Sequence, residues 1–166
     1  MVNEDGVSVG IGSCAFSAKS GDVLHARALG ANVALIVCDK IKGIVALAHI
    51  ALPESELCPE RAQIKPVHFA DTAVPFVLAE LKKITGADVT PSNAVIKLVG
   101  GSNIPDSHGT FNVGKRNAIA VKKALWKFGL GPRAEEIGGE HCRSVTVFHD
   151  DARVSVTMTG QAAKEI

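Results

Sequence analysis

The chain has no tyrosine, one tryptophan and six phenylalanines among its 166 residues. Single-stranded nucleic acid is held by stacking bases on aromatic rings, so that partner is poorly served here. Charge of one sign is also lacking: 18 Lys plus Arg against 17 Asp plus Glu leave a formal net charge of +1. That balance argues against a nucleic-acid binder working by phosphate neutralisation and against a polybasic membrane anchor. Apolar residues come in short runs, none near the roughly 20 residues of a membrane span, so no membrane insertion is expected. Met1 to Gly6 carry no Lys or Arg and do not open a secretory signal. The four cysteines, Cys14, Cys38, Cys58 and Cys142, form no CxxC pair, so reduced thiols in a cytoplasm are expected rather than a disulfide framework.

Cofactor motifs are missing as well. Gly100-Gly101-Ser102 follows an apolar run as phosphate loops do, yet neither GxxxxGK[ST] nor GxGxxG is present. His141-Cys142 has no metal-ligand spacing to His25, His149 or Cys14. No cofactor and no metal are expected.

What the chain does have is apolar mass. Hydrophobic residues make up 46% of the sequence, enough for one domain over residues 1–166 with a real core. Val33 to Cys38 (VALIVC) and Gly43 to His49 (GIVALAH) are continuous apolar runs, the mark of strands buried on both faces. The polar turn Asp39-Lys40-Ile41-Lys42 between them predicts a central hairpin. Val7 to Gly12 alternates like a strand start, and Ala94 to Val99, Arg143 to His149 and Ala152 to Met158 read as further strands.

Helical spacing appears twice. Ala70, Val74, Val77, Leu81 and Ile84 predict a helix over 70–85 stopped by Gly86, with Pro75 tolerable near its start. Ala118, Val121, Leu125 and Phe128 predict a second over 113–128, with Asn112 as a possible N-cap and its lysines on a solvated face. Segments 52–67, containing Pro53, Pro59 and Pro66, and 102–110 read as loops long enough to be functional. The expectation is an α+β fold, a layered sandwich of two helices on mainly antiparallel strands.

Two side chains stand out for chemistry. His49 ends an apolar strand beside a loop, a place for acid-base work or for a half-buried structural histidine. Gly10-Ile11-Gly12-Ser13-Cys14 reads either as a glycine turn presenting a thiol or as a small core cysteine at a strand end. Cys38 sits in an apolar run and reads as core, and Cys58 reads as exposed.

Five ordered blocks resemble the CheD family of chemoreceptor glutamine deamidases: 48–55 (AHIALPES), 69–74 (FADTAV), Gly100-Gly101-Ser102, 112–117 (NVGKRN), and Ile137-Gly138-Gly139 followed by Arg143-Ser144-Val145. The likeness runs from about Val9 to Thr157. It implies a cysteine amide hydrolase. A thiolate attacks a receptor glutamine carboxamide, a histidine takes the thiol proton and passes one to departing ammonia, and water cleaves the thioester to leave glutamate. A Thr or Ser orients the histidine. The resemblance also implies two partners, chemoreceptor cytoplasmic helices and a CheC-type phosphatase, and assigns the base to His49.

At the nucleophile the sequence departs. The family carries a GLGSC turn seventeen residues before the histidine, and here that count reaches Asn32 in Ala28-Leu29-Gly30-Ala31-Asn32. The family's Thr, six residues earlier, falls on Ala26. A carboxamide has no proton to lose near neutral pH and is no useful nucleophile. The expectation is a disabled deamidase that acts by binding. The alternative is an active amidase that uses Cys14 with His49.

Overall fold

A computed structural model describes residues 6–103 and 112–166. The elements run β1 (Val7–Ser8), β2 (Cys14–Ser17), β3 (Val23–Leu29), β4 (Val33–Asp39), β5 (Ile44–Ile50), α1 (Pro59–Ile64), α2 (Ala70–Thr85), β6 (Ala94–Gly100), α3 (Val113–Trp126), β7 (Ala134–Ile137), β8 (Arg143–Phe148), β9 (Val154–Met158) and β10 (Lys164–Glu165). They form two five-stranded sheets, one ordered β2-β5-β4-β6-β7 and the other β1-β3-β8-β9-β10. Among the described strands, β1–β3 and β6–β7 pair in parallel and the other pairs are antiparallel. The α+β architecture read from the sequence is what forms.

The two apolar runs make the centre. β4 pairs antiparallel with β5 on one side and with β6 on the other, and every residue of β4 and β5 is buried. Their uninterrupted hydrophobicity follows from two covers. Val33, Leu35 and Val37 face α2 and α3, while Ala34, Ile36 and Cys38 face the second sheet with Leu24, Val145 and Val156. A strand alternates its side chains between faces, so a strand covered on both must be apolar throughout. Three layers result: helices, central sheet and outer sheet. Each fully buried Leu, Ile or Val contributes about 1.5–3 kcal/mol relative to exposure.

Asp39 closes the β4–β5 turn by accepting the Ile41 and Lys42 N–H groups at 3.0 and 2.9 Å. Helix α2 spans the predicted residues and stops at Gly86, whose φ of +74° suits a residue without Cβ.

Three expectations need correction. The stretch 52–67 is not a plain loop: it holds 3-10 turns at Ser55–Leu57 and Pro66–His68 around α1. Asp71 ties its start down, accepting from the Ser55 N–H at 3.0 Å and the Ser55 hydroxyl at 2.7 Å. The N-terminal run is not one strand either. β1 belongs to the outer sheet, and Cys14 opens β2 in the central sheet. Asn112 stands at the N-cap of α3 in a left-handed conformation, and its side chain makes no cap bond; α3 ends at Trp126. Of the second expected loop, 102–110, residues 104–110 lie outside the described residues.

Candidate functional site

β5 carries His49 one residue from its end. On that strand Ala48 and Ile50 face the helices, so His49 faces the outer sheet, 2% exposed. Its backbone is pinned to the turn before β2: the Gly12 N–H donates to the His49 carbonyl at 2.8 Å, and the His49 N–H to the Ser13 carbonyl at 2.9 Å. The imidazole Nδ1 lies 3.2 Å from the Val9 carbonyl, which can only accept. Nδ1 therefore carries the ring proton and Nε2 is left as the acceptor. Asn32 Nδ2 stands 3.1 Å from that Nε2 and donates to it. Burial holds the imidazole below its ordinary value of 6.5, with the Val9 bond opposing in part. His49 is therefore neutral at pH 7, and its lone pair faces an amide.

Asn32 sits between β3 and β4 in a turn held at three points. Its carbonyl accepts from the Gly101 N–H at 2.8 Å, the Gly30 carbonyl from the Ser102 N–H at 2.8 Å, and the Ala31 carbonyl from Asn117 Nδ2 at 2.9 Å. Asn117 Nδ2 also donates to the Ala51 carbonyl at 2.7 Å, just beyond His49. One buried carboxamide on α3 thus clamps the turn bearing Asn32 to the strand end bearing His49. Gly100 admits this approach: a Cβ there would sit 2.2 Å from the Asn32 carbonyl oxygen. The motif Gly100-Gly101-Ser102, which looked like a weak phosphate loop, is a brace for the site turn.

Ala28 occupies the first glycine position of the family turn. Its φ is +56°, a region that costs an L-residue roughly 1–2 kcal/mol. Alanine thus holds a backbone conformation that glycine adopts without strain. Ala28→Gly is expected to raise stability by about 0.5–1 kcal/mol, net of the entropy a glycine adds to the unfolded chain, as measured by chemical denaturation. No gain, or a loss, would contradict the strained turn.

Ala26 is fully buried in β3 between the sheets, opposite Val145. It offers no hydroxyl, and the acceptor bound at Nδ1 of His49 is the Val9 carbonyl. Cys14 is not brought to His49. It pairs with Ala48 across β2–β5 and packs with the helix-side core, so its sulfur and the His49 ring lie on opposite faces of the central sheet. Burial, and then the Glu80 carboxylate, push the Cys14 thiol up, away from thiolate. The Cys14–His49 pairing weighed from the sequence therefore lacks the hydrogen-bond reach that proton transfer needs. Cys38 is core, its thiol raised to about 11 by burial. Cys58 is half-buried at the start of α1, less exposed than its loop reading implied.

Sequence reasoning did not single out Val9, Asn117 or Arg143 as site supports. Asn117 and Arg143 lie inside the family blocks, but Val9 acts through its backbone and left no side-chain signal.

The comparisons with known proteins place this geometry in a family. The family model "CheD chemotactic sensory transduction" matches residues 51–158. The chain belongs to the CheD family. Among its relatives, the "Probable chemoreceptor glutamine deamidase CheD" of Syntrophotalea carbinolica is 36% identical over 158 residues, covering 95% of this chain and 97% of that protein. The "Chemoreceptor glutamine deamidase CheD" of Thermotoga maritima is 38% identical over 152 residues, covering 92% and 91%. The "Probable chemoreceptor glutamine deamidase CheD" of Clostridium kluyveri is 37% identical over 142 residues, covering 83% and 84%. Among the described residues no helix is long and apolar enough to cross a membrane.

Burial gives the site a pH signature. His49, His25 and His68 are all held below 6.5 by burial first. Unfolding lets these imidazoles take up protons more readily. Their contribution is complete above the unfolded value and declines as pH falls through it. The thermal midpoint is expected to be lower at about pH 5 than at about pH 7.5. A midpoint unchanged or higher at the acid pH would contradict this.

Proposed function

We propose that this CheD-family chain has lost deamidase activity and acts in the cytoplasm by binding, to chemoreceptor cytoplasmic helices, to a CheC-type phosphatase, or to both. One observation carries the reading: the atom 3.1 Å from the base nitrogen of His49 is an amide nitrogen of Asn32 and not a sulfur. An amide that donates to the base cannot also be deprotonated by it into a nucleophile. The rest of the site favours retention for another use. The histidine keeps a fixed tautomer, the turn is braced at three points, and Asn117 ties both halves together. A site with no remaining use has no reason to hold such a network.

The test is calorimetric titration of the chain with a chemoreceptor cytoplasmic fragment and, separately, with a CheC-type phosphatase. Saturable binding to at least one is the expected result. Binding to neither would sink the proposal.

A further inference from the structure

Asn32 does more than remove a thiol. The Val9 carbonyl fixes the proton on His49 Nδ1, so Nε2 must accept, and the Asn32 amide is oriented with nitrogen toward the ring. That bond uses one of the two Asn32 N–H donors. The other N–H and the Oδ1 acceptor have no hydrogen-bond partner among the described residues, and the side chain is only half-buried. What remains is one donor beside one acceptor, on a turn locked through the carbonyls of Gly30, Ala31 and Asn32.

We propose that the Asn32–His49 pair is a reader of primary carboxamides, binding a receptor glutamine side chain in preference to the glutamate that deamidation would leave. This rests on the receptor-binding reading above and adds what is recognised. A glutamine carboxamide accepts from the second Asn32 N–H with its oxygen and donates its own N–H to Asn32 Oδ1. A glutamate carboxylate can only accept, so it leaves Oδ1 unpaired and sets a negative oxygen against it. Among the described residues nothing at the pair repays that charge. His49 has no proton on Nε2, and among the described residues no Lys or Arg hydrogen-bonds either side chain. The braced turn also means the amide is aimed before the ligand arrives, which lowers the ordering cost of binding.

Such a reader distinguishes unconverted receptor from converted receptor without changing either. A site built from hydrogen-bond donors and acceptors rejects a ligand of the wrong pattern because its own polar groups are left unpaired.

The experiment uses the full chain and one chemoreceptor cytoplasmic fragment in two forms: as purified with its glutamines, and after complete conversion by an active CheD relative. Calorimetry is expected to give a Kd on the order of tenfold tighter for the glutamine form, with the preference abolished in Asn32→Ala. Equal affinity of the wild type for both forms overturns the proposal and leaves receptor binding standing. Preference retained by Asn32→Ala overturns the assignment to Asn32. Binding of neither form removes the receptor reading and the proposal with it. Should Asn32→Ala fail to fold, wild-type chain titrated with N-acetylglutamine amide and with N-acetylglutamate decides. The His49 imidazole NMR signals are expected to move with the first and not the second. Equal movement with both, or none with either, overturns the proposal.

Discussion

Installing the two groups that the CheD resemblance assigns to these positions, as Ala26→Thr with Asn32→Cys, is expected to raise deamidation of a chemoreceptor fragment at least ~100-fold above the wild type, because positioned proton transfer alone supplies that much. The reasoning is local. The Asn32 side chain already reaches His49, with Nδ2 3.1 Å from Nε2, and that ring nitrogen is an unprotonated acceptor. A cysteine there can hand its proton to the ring and become a thiolate that attacks the amide carbon; the protonated ring then gives its proton to the departing amide nitrogen, which leaves as ammonia, and water hydrolyses the remaining thioester to glutamate. Asn32→Cys alone is expected to give a thiol that iodoacetamide alkylates readily at neutral pH, but weak turnover. The single change leaves Ala26 without the hydroxyl that the CheD resemblance assigns to it. Threonine adds volume in a fully buried position, so some loss of stability accompanies the double variant. If the single change restores turnover as fully as the pair, the hydroxyl is dispensable and the Val9 carbonyl suffices to orient the ring. If neither variant turns over substrate, the register of Asn32 against His49 is not that of a former nucleophile.

The largest stability effect is expected at Arg143, which is 5% exposed at the start of β8. Its Nη1 donates to the Ser102 hydroxyl at 2.7 Å and to the carbonyls of Gly138 and His141 at 2.7 and 3.1 Å, and Nη2 lies 3.4 Å from Glu136. This guanidinium joins the end of β7, the 100–102 turn and the outer sheet. The same turn holds Gly30 and Asn32. Arg143→Met leaves the Gly138 carbonyl without the guanidinium donor, and removing one partner of a buried charge network costs about 3–5 kcal/mol. The cost here is expected near the lower end, about 3 kcal/mol, because Glu136 keeps Lys164 at 2.6 Å and the Ser102 hydroxyl keeps the His141 carbonyl. For a chain of this size that corresponds to a drop of roughly 6–12 °C in Tm. A drop under about 2 °C would mean the network contributes little net stability, as some buried ion pairs do.

The centre of the fold was legible because its cause is simple. β4 and β5 lie under helices on one face and a sheet on the other, so their residues had to be apolar without alternation. α2 was legible because one of its faces is core and its stop is a glycine. β3 was hidden by His25 and Arg27, whose side chains break the apolar pattern. β7 was hidden because it is short and carries Glu135 and Glu136 on a sheet edge. α1 was hidden by the prolines around it, although Pro59 is its first residue, where a missing N–H costs nothing.

The site divides the same way. The seventeen-residue interval pointed to Asn32 and His49, and the structure places those two side chains in contact. Interval alone could not place Cys14. Its turn matches the family's sequence, but strand register decides which face a side chain takes, and one residue of register separates Ala48 from His49. The bond to the Val9 carbonyl spans 40 residues of chain and those from Asn117 span 66 and 86, beyond the reach of local pattern.

The most direct test is mass spectrometry of a chemoreceptor cytoplasmic fragment incubated with the purified wild-type chain, beside a cysteine-bearing CheD relative as positive control. The account predicts that the relative converts glutamine to glutamate and that this chain leaves every glutamine peptide at its original mass. Conversion by the wild-type chain at a rate comparable to the relative's would contradict it.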